Sequence, residues 1–356
     1  MIIHCLSNNK ENMRLLFIRF SSIGDIVFTT PAIRCAKQQL QGVEIHFLTK
    51  ASMRSVTEAN PYIDQFHYFD KDLASTIQKL KECHFDYIID LHSNFRTFRI
   101  KKALGVPAFT YRKLTFQKFL LTKLHINWMP QRHISDRCID TLSSLGVIND
   151  GKGLDYFVPK NVELKATDIP TAHQAGYIGL VIGASYCTKK LPIDQLQDLC
   201  KQLKYPVILI GGKEDAATGA AVAEMDTEKI YNACGKFNLH ESALLVKNAK
   251  TVVSHDTGLL YVACAYHKKT IAIWGATSPA LQVEPYYPNH LINNAEAAGA
   301  SENGEMYFNA IVPDLNCQPC SNYGTNTCPQ GHFACMRLQN IKVIATKAND
   351  FFAAAN

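Results

Sequence analysis

The 356-residue chain has no apolar run approaching the roughly 20 residues a helix needs to cross a bilayer. Its longest, such as Tyr177 to Gly183 and Thr270 to Trp274, fall far short. Met1 to Glu11 (MIIHCLSNNKE) lacks the apolar segment and small-residue cleavage site of a secretory leader, so the chain is expected to stay in the cytoplasm. The phosphate-cradling GxxxxGK[ST] is missing, and neither half contains a proper GxGxxG. No short-period repeat points to a solenoid. No recognised nucleic-acid motif accompanies the basic residues, so no nucleic-acid partner is expected.

What is present belongs to a folded protein: 47% of residues are hydrophobic and 19% charged. The length favours two domains, each with its own core. Thirty-seven basic side chains against 31 acidic ones leave a formal +6, which suits an anionic partner. The 12 cysteines, in a chain of this length, read as reduced thiols rather than a disulfide framework; eight are scattered and four are clustered near the end.

Apolar runs alternate with amphipathic stretches. Leu15–Ile18, Ile45–Leu48, Phe66–Phe69 and Tyr87–Leu91 read as strands, and Ile33–Leu40, Ser52–Ala59, Leu73–Leu80 and Phe95–Leu104 as helices. A segment rich in Gly, Asn, Asp and Pro, from Gly146 to Thr171, reads as a linker. The alternation then restarts with strands at Tyr177–Ile182, Val207–Ile210, Thr251–Val253 and Thr270–Ile273. This α/β pattern implies two parallel-sheet lobes, 1–165 and 166–337, with a ligand-binding cleft. Residues 338–356 read as a final helix.

Polar residues gather at expected strand ends. Strand Arg14–Phe20 runs into Ser21-Ser22-Ile23-Gly24-Asp25, which places Asp25 at a helix start, either as a cap or as a reactive carboxylate. Gly183-Ala-Ser-Tyr-Cys-Thr-Lys-Lys-Leu-Pro192 is a polar turn between strand and helix. Its Ser185, Thr188, Lys189 and Lys190 could surround a diphosphate, although lysines at turns are often only solvated. Gly211-Gly-Lys-Glu214-Asp215 and Ser254-His-Asp256-Thr257-Gly258 occupy equivalent positions; Asp256 could cap its helix or meet sugar hydroxyls.

Taken in order, the Phe20–Asp25 turn with Thr30-Pro31-Ala32, Thr188–Pro192, Asp256-Thr257-Gly258 and Trp274-Gly-Ala-Thr-Ser-Pro279 resemble glycosyltransferase family 9. That family contains the ADP-heptose:lipopolysaccharide heptosyltransferases. The resemblance runs from about Arg14 to Ile341. It implies a GT-B fold, with acceptor on the first Rossmann-like lobe and nucleotide sugar on the second, and an inverting reaction that needs no metal. By position Asp25 matches the family's base and Lys189 the lysine at the donor phosphates. Ser185, Thr188, Lys190, Glu214, Asp256, Thr257 and Gly258 fall at the donor. Leu191 and Tyr261 depart from the aromatic residue and the histidine usual at those places.

Ser22 and Gly24, with Arg96, Arg99 and Arg112 and the basic, aromatic stretch that follows, are expected to meet an anionic, lipid-linked glycan acceptor. The same surface could rest peripherally on the inner face of the inner membrane. Asp70-Lys71-Asp72 has the DxD form of metal-dependent glycosyltransferases but sits apart from the donor motifs and reads as an exposed turn. Cys317, Cys320, Cys328 and Cys335 could hold a structural Zn²⁺, or remain thiols or a local disulfide. The final helix is expected to pack back on the first lobe. Competing functions are a GT-B-like nucleotide-sugar epimerase and a catalytically silent glycan-binding or assembly protein.

Overall fold

The computed structural model describes residues 13–289 and 305–355. The chain forms two compact units. The first draws on the segment ending at Ser22, on Thr29–Lys113 and on Ser135–Asp150; the second on Ile23–Phe28, Leu114–Ile134 and the chain from Gly151 onward.

In the first unit, strands β1 (Arg14–Ile18), β2 (Glu44–Lys50), β3 (Gln65–Phe69), β4 (Tyr87–Asp90) and β5 (Ala108–Thr110) form a sheet of order β3-β2-β1-β4-β5. All neighbours are parallel. Leu15 to Ile18 are fully buried, as expected for a strand covered on both faces. Leu16, Ile18, Leu48, Ile88, Leu80 and Ile100 share one core with Phe20, Phe69 and Phe85.

The second unit contains β6 (Ile178–Val181), β7 (Val207–Ile210), β8 (Ile230–Asn232), β9 (Thr251–His255), β10 (Lys269–Ile273) and β11 (Tyr307–Ala310). Their order is β11-β10-β9-β6-β7-β8, again all parallel. Counted from β6, this is the doubly wound 3-2-1-4-5-6 arrangement, whose order reverses between β6 and β9 and whose ligands bind at the carboxyl ends there. Strands β5, β8 and β11, with three or four residues each, are too short to show a period, and the sequence pattern did not mark them.

Three expectations about domain limits are corrected. The first unit ends at Asp150 rather than 165. Segments 23–28 and 114–134 belong to the second unit; Leu121 and Met129, for example, pack with Leu281 in a small apolar cluster. The helix Ile341–Ala353 packs in the second core, not back on the first lobe: Ile341, Ile344, Ala345, Ala348, Phe351 and Phe352 form its buried stripe. The opposing surface is the helix Ile193–Gln202 with β9 and β10. Phe352 stacks on Tyr205 with ring centroids 3.8 Å apart, and Asn349 Oδ1 accepts from the Lys204 N–H at 2.9 Å.

Candidate functional site

Because β6 and β9 are neighbours, with Val181 opposite Ser254, two motifs some 70 residues apart in sequence leave the sheet side by side. The turn after β6 ends in a short 3-10 helix, Cys187–Lys189. Lys189 Nζ lies 2.7 Å from Asp256 Oδ2. The Asp256 carboxylate also accepts from the Tyr261 hydroxyl at 2.7 Å through Oδ1 and from Thr277 Oγ1 at 2.8 Å through Oδ2. Asp256 is buried, and burial of a carboxylate is tolerated when its oxygens are filled in this way. The helix Gly258–Ala265 has Thr257, not Asp256, at its N-cap, with no side-chain cap bond. Asp256 is therefore the hub that aims Lys189, Tyr261 and Thr277.

Two further contacts fix the lysine turn. His255 Nε2 accepts from the Leu191 N–H at 3.0 Å. Complete burial, with the nearby Lys190 charge adding to it, pushes this imidazole down to about 3, so it serves as a neutral acceptor. Lys190 pairs with the buried Asp215 at 2.6 Å, and Asp215 Oδ2 accepts from the Gly212 N–H at 3.0 Å. A Cβ on Gly183 would lie 2.5 Å from Asp215 Oδ2, so only glycine lets this carboxylate sit beneath the end of β6. His255, Asp215 and Thr277 lie within the sequence motifs, but their local pattern gives them no role.

Asp25 is the third residue of the helix Ile23–Val27, inside its first turn rather than at its cap. That helix packs on Gly258–Ala265 through a glycine contact on each side. A Cβ on Gly24 would fall 2.7 Å from the Tyr261 ring, and one on Gly258 would fall 2.6 Å from Ile23 Cγ2. The close approach brings the half-buried Asp25 near enough to act on the Tyr261 hydroxyl. Burial first, then the Asp256 and Asp25 charges, raise that phenol well above its usual 10. Tyr261 thus stays neutral and donates to Asp256 and, at 3.0 Å, to Val283 O.

The other expected donor residues divide. Ser185 and Glu214 are exposed. Thr188 is buried and engaged elsewhere: its hydroxyl donates to Thr325 O at 2.8 Å and accepts from Thr325 N–H at 2.7 Å. Its hydroxyl fastens the turn to the loop at 325. Nothing in the sequence marked Thr325. Gln318 Nε2 from the same cysteine-rich segment donates to Trp274 O, Gly275 O and Thr277 O at 3.1, 2.7 and 3.1 Å. None of the 11 cysteines among the described residues is in a disulfide. Cys317, Cys320, Cys328 and Cys335 lie close enough to influence one another's ionisation. Burial, the dominant influence, raises the Cys317, Cys320 and Cys335 thiols, Cys335 to about 12. His332 Nε2 is 3.8 Å from Cys317 Sγ. Thiolates of this kind are ligands that Zn²⁺ selects, and the ion would have to displace the thiol protons.

Of the expected acceptor contacts, Gly24 lies in the second unit, while Ser22, Arg96, Arg99 and Arg112 lie in the first, all four exposed. Arg96 sits 5.8 Å over the Phe69 ring. Asp72 caps the helix Leu73–Lys81, its Oδ1 accepting from Ala74 and Ser75 N–H groups at 2.9 and 3.1 Å. The DxD form is thus a helix start. A cation held by a buried carboxylate at the end of a parallel sheet, with a second carboxylate close by, is equipped to stabilise a diphosphate and accept a proton.

The sequence matches the family model described as Glycosyltransferase family 9 (heptosyltransferase) over residues 73–306. Lipopolysaccharide heptosyltransferase 1 of Campylobacter coli is 22% identical over 298 residues, covering 74% of this chain and 84% of that protein. The structure of Escherichia coli ADP-heptose LPS heptosyltransferase II superposes with a TM-score of 0.66 at 16% identity, covering 96% of this chain and 99% of its own. The structure of an E. coli heptosyltransferase with ADP-2-deoxy-2-fluoro heptose superposes with a TM-score of 0.56 at 18% identity, covering 81% of this chain and 100% of its own. These two structures share the fold.

Proposed function

The chain belongs to glycosyltransferase family 9, and from that premise we propose that it transfers heptose from ADP-heptose, with inversion and without a catalytic metal, to the core of lipopolysaccharide or a related lipid-linked glycan. The Lys189–Asp256 pair at 2.7 Å, with Tyr261 and Thr277 on the same carboxylate, is the observation that carries this reading. The names of the relatives support both the donor and the acceptor class.

In the proposed step an acceptor hydroxyl oxygen attacks the anomeric carbon from the face opposite the leaving group. The new C–O bond forms as the bond to the ADP β-phosphate oxygen breaks, and the hydroxyl proton passes to the Asp25 carboxylate. The electron pair leaves with ADP, whose growing negative charge is met by Lys189. Asp256 holds that ammonium in place before the charge develops, so little reorganisation is needed at the moment of reaction. Ser185 and Glu214, exposed near this turn, remain candidates for the nucleotide. Arg96, Arg99 and Arg112 are assigned to anionic groups of the acceptor.

The segment 114–134 supports peripheral contact with an anionic membrane. Phe116, Phe119, Leu124, Ile126 and Trp128 are exposed there, Trp128 at 67%, among Lys118, Lys123 and Arg132. Such aromatic and basic surfaces settle at a headgroup boundary without crossing it. Zinc at Cys317, Cys320, Cys328 and Cys335 would be structural.

The deciding experiment offers a panel of nucleotide sugars with a heptose-deficient lipid-linked core acceptor and identifies the product and its anomeric configuration. Transfer from another sugar nucleotide alone would reject ADP-heptose, and retained configuration would reject inversion. Transfer should persist in chelator; its loss would reject metal independence.

A further inference from the structure

The first unit holds a second group of chemically capable side chains, at the amino-terminal ends of its strands and away from the ends that lead to the site above. His46 is the third residue of β2 and His67 the third of β3. In the parallel register His46 faces Gln65 and Leu48 faces His67, so both imidazoles rise on one side of the sheet. The helix Leu73–Lys81 ends over that side, and Cys83 lies two residues past its end.

His46 Nδ1 lies 2.8 Å from His67 Nε2, and the rings are stacked at 12°. One ring nitrogen of each histidine and the Cys83 sulfur all lie within 4.8 Å of one another. We propose that His46, His67 and Cys83 form a binding site for a divalent transition-metal ion with zinc's ligand preference, built into the edge of the first sheet.

Three features of the site support this. Two imidazoles and a thiolate are the ligand types that Zn²⁺ selects, with three protein ligands leaving a fourth position for water. Tetrahedral bonds of about 2.0 to 2.3 Å call for ligand atoms roughly 3.3 to 3.6 Å apart, so the 2.8 Å nitrogen pair would open slightly, with the sulfur within 4.8 Å. The second feature is the carboxylate behind the first ligand. Glu44 Oε1 is 3.1 Å from His46 Nε2; as acceptor from that N–H it leaves the Nδ1 lone pair facing inward, the arrangement by which carboxylates orient metal-bound histidines. Glu44 is itself held by Arg14 at 2.7 Å.

The third feature is access: His46 is buried, whereas His67 and Cys83 are half-exposed and give an ion a way in. On binding, the Cys83 S–H bond breaks, its proton goes to solvent, and the thiolate bonds to the ion without any change of oxidation state. The ion would tie β3, an edge strand, to β2 and to the helix covering them.

The test uses the full chain, stripped with chelator and titrated with Zn²⁺ and separately with Co²⁺. His67→Gln and Cys83→Ser should each lose one equivalent of Zn²⁺ and the Co²⁺-to-thiolate absorption that belongs to it, while Cys317→Ser keeps that equivalent. Glu44→Gln should weaken this equivalent about 10- to 100-fold. Unchanged stoichiometry in both folded variants overturns the site. In the unmutated chain, peptide-mapped alkylation of Cys83 should slow when Zn²⁺ is present; equal labelling with and without Zn²⁺ overturns it as well, even where a variant fails to fold.

Discussion

Lys189 Nζ and Asp256 Oδ2 stand 2.7 Å apart with side chains only 13% and 9% exposed, so each charge depends on the other for its place in the protein. Breaking a buried pair from one side typically costs roughly 3 to 5 kcal/mol, because the remaining charge is stranded. Lys189→Met is therefore expected to lower stability by about that amount and to abolish transfer. The double variant Lys189→Met with Asp256→Asn should recover most of the stability but none of the activity. Denaturant midpoints and initial rates measured side by side check this; normal rates in Lys189→Met would remove the lysine from the chemistry.

Asp25 is assigned to proton acceptance. Asp25→Asn keeps the shape and removes the basicity, and general-base catalysis is worth roughly 10²- to 10⁴-fold. The turnover number should fall within that range while the donor dissociation constant stays nearly unchanged. Calorimetric titration with donor and a rate assay separate the two quantities, and near-normal turnover would end the assignment.

Gly24 is predicted to matter through what it lacks. An added Cβ would lie 2.7 Å from the Tyr261 ring, and overpacking of this kind costs about 1 to 3 kcal/mol. Gly24→Ala should lower the melting temperature and reduce turnover, since Asp25 is the next residue. Pairing it with Tyr261→Leu should relieve part of the thermal loss, whereas no relief would place the strain elsewhere.

Acid should destabilise the protein through its buried histidines. His255 is held at about 3 against its usual 6.5, and His67 at about 4. Between those values the unfolded chain binds protons that the folded chain does not. Stability is therefore at its full value above pH about 6.5 and declines as pH falls through this window. Urea unfolding at pH 7.5 and pH 5 should show the loss, with a shallower pH slope in His255→Gln. A slope unchanged by that substitution would contradict the neutral, buried His255.

The motifs of the candidate site are readable in the sequence because motifs after strands keep their spacing whatever the tertiary context. Asp25, Lys189 and Asp256 stand out in that way; in the structure Lys189 pairs with Asp256, and the Asp25 charge acts on the Tyr261 hydroxyl that donates to the same carboxylate. The tie from Thr188 to Thr325 was not legible, since a hydroxyl in a polar turn gives no sign of a partner 137 residues away. The final helix shows a related limit: its apolar stripe announced that one face would be buried, but not which core would receive it.

The sequence by itself determined the alternation of strand and helix, the strand-end placement of the polar motifs, and the family to which they point. The order of strands came only with the tertiary structure, because parallel strands are paired through distant backbone hydrogen bonds that local patterns do not encode. That order sets β6 beside β9 and Lys189 against Asp256. It likewise brings His46 and His67 together on adjacent strands, although nothing in their local sequence links them.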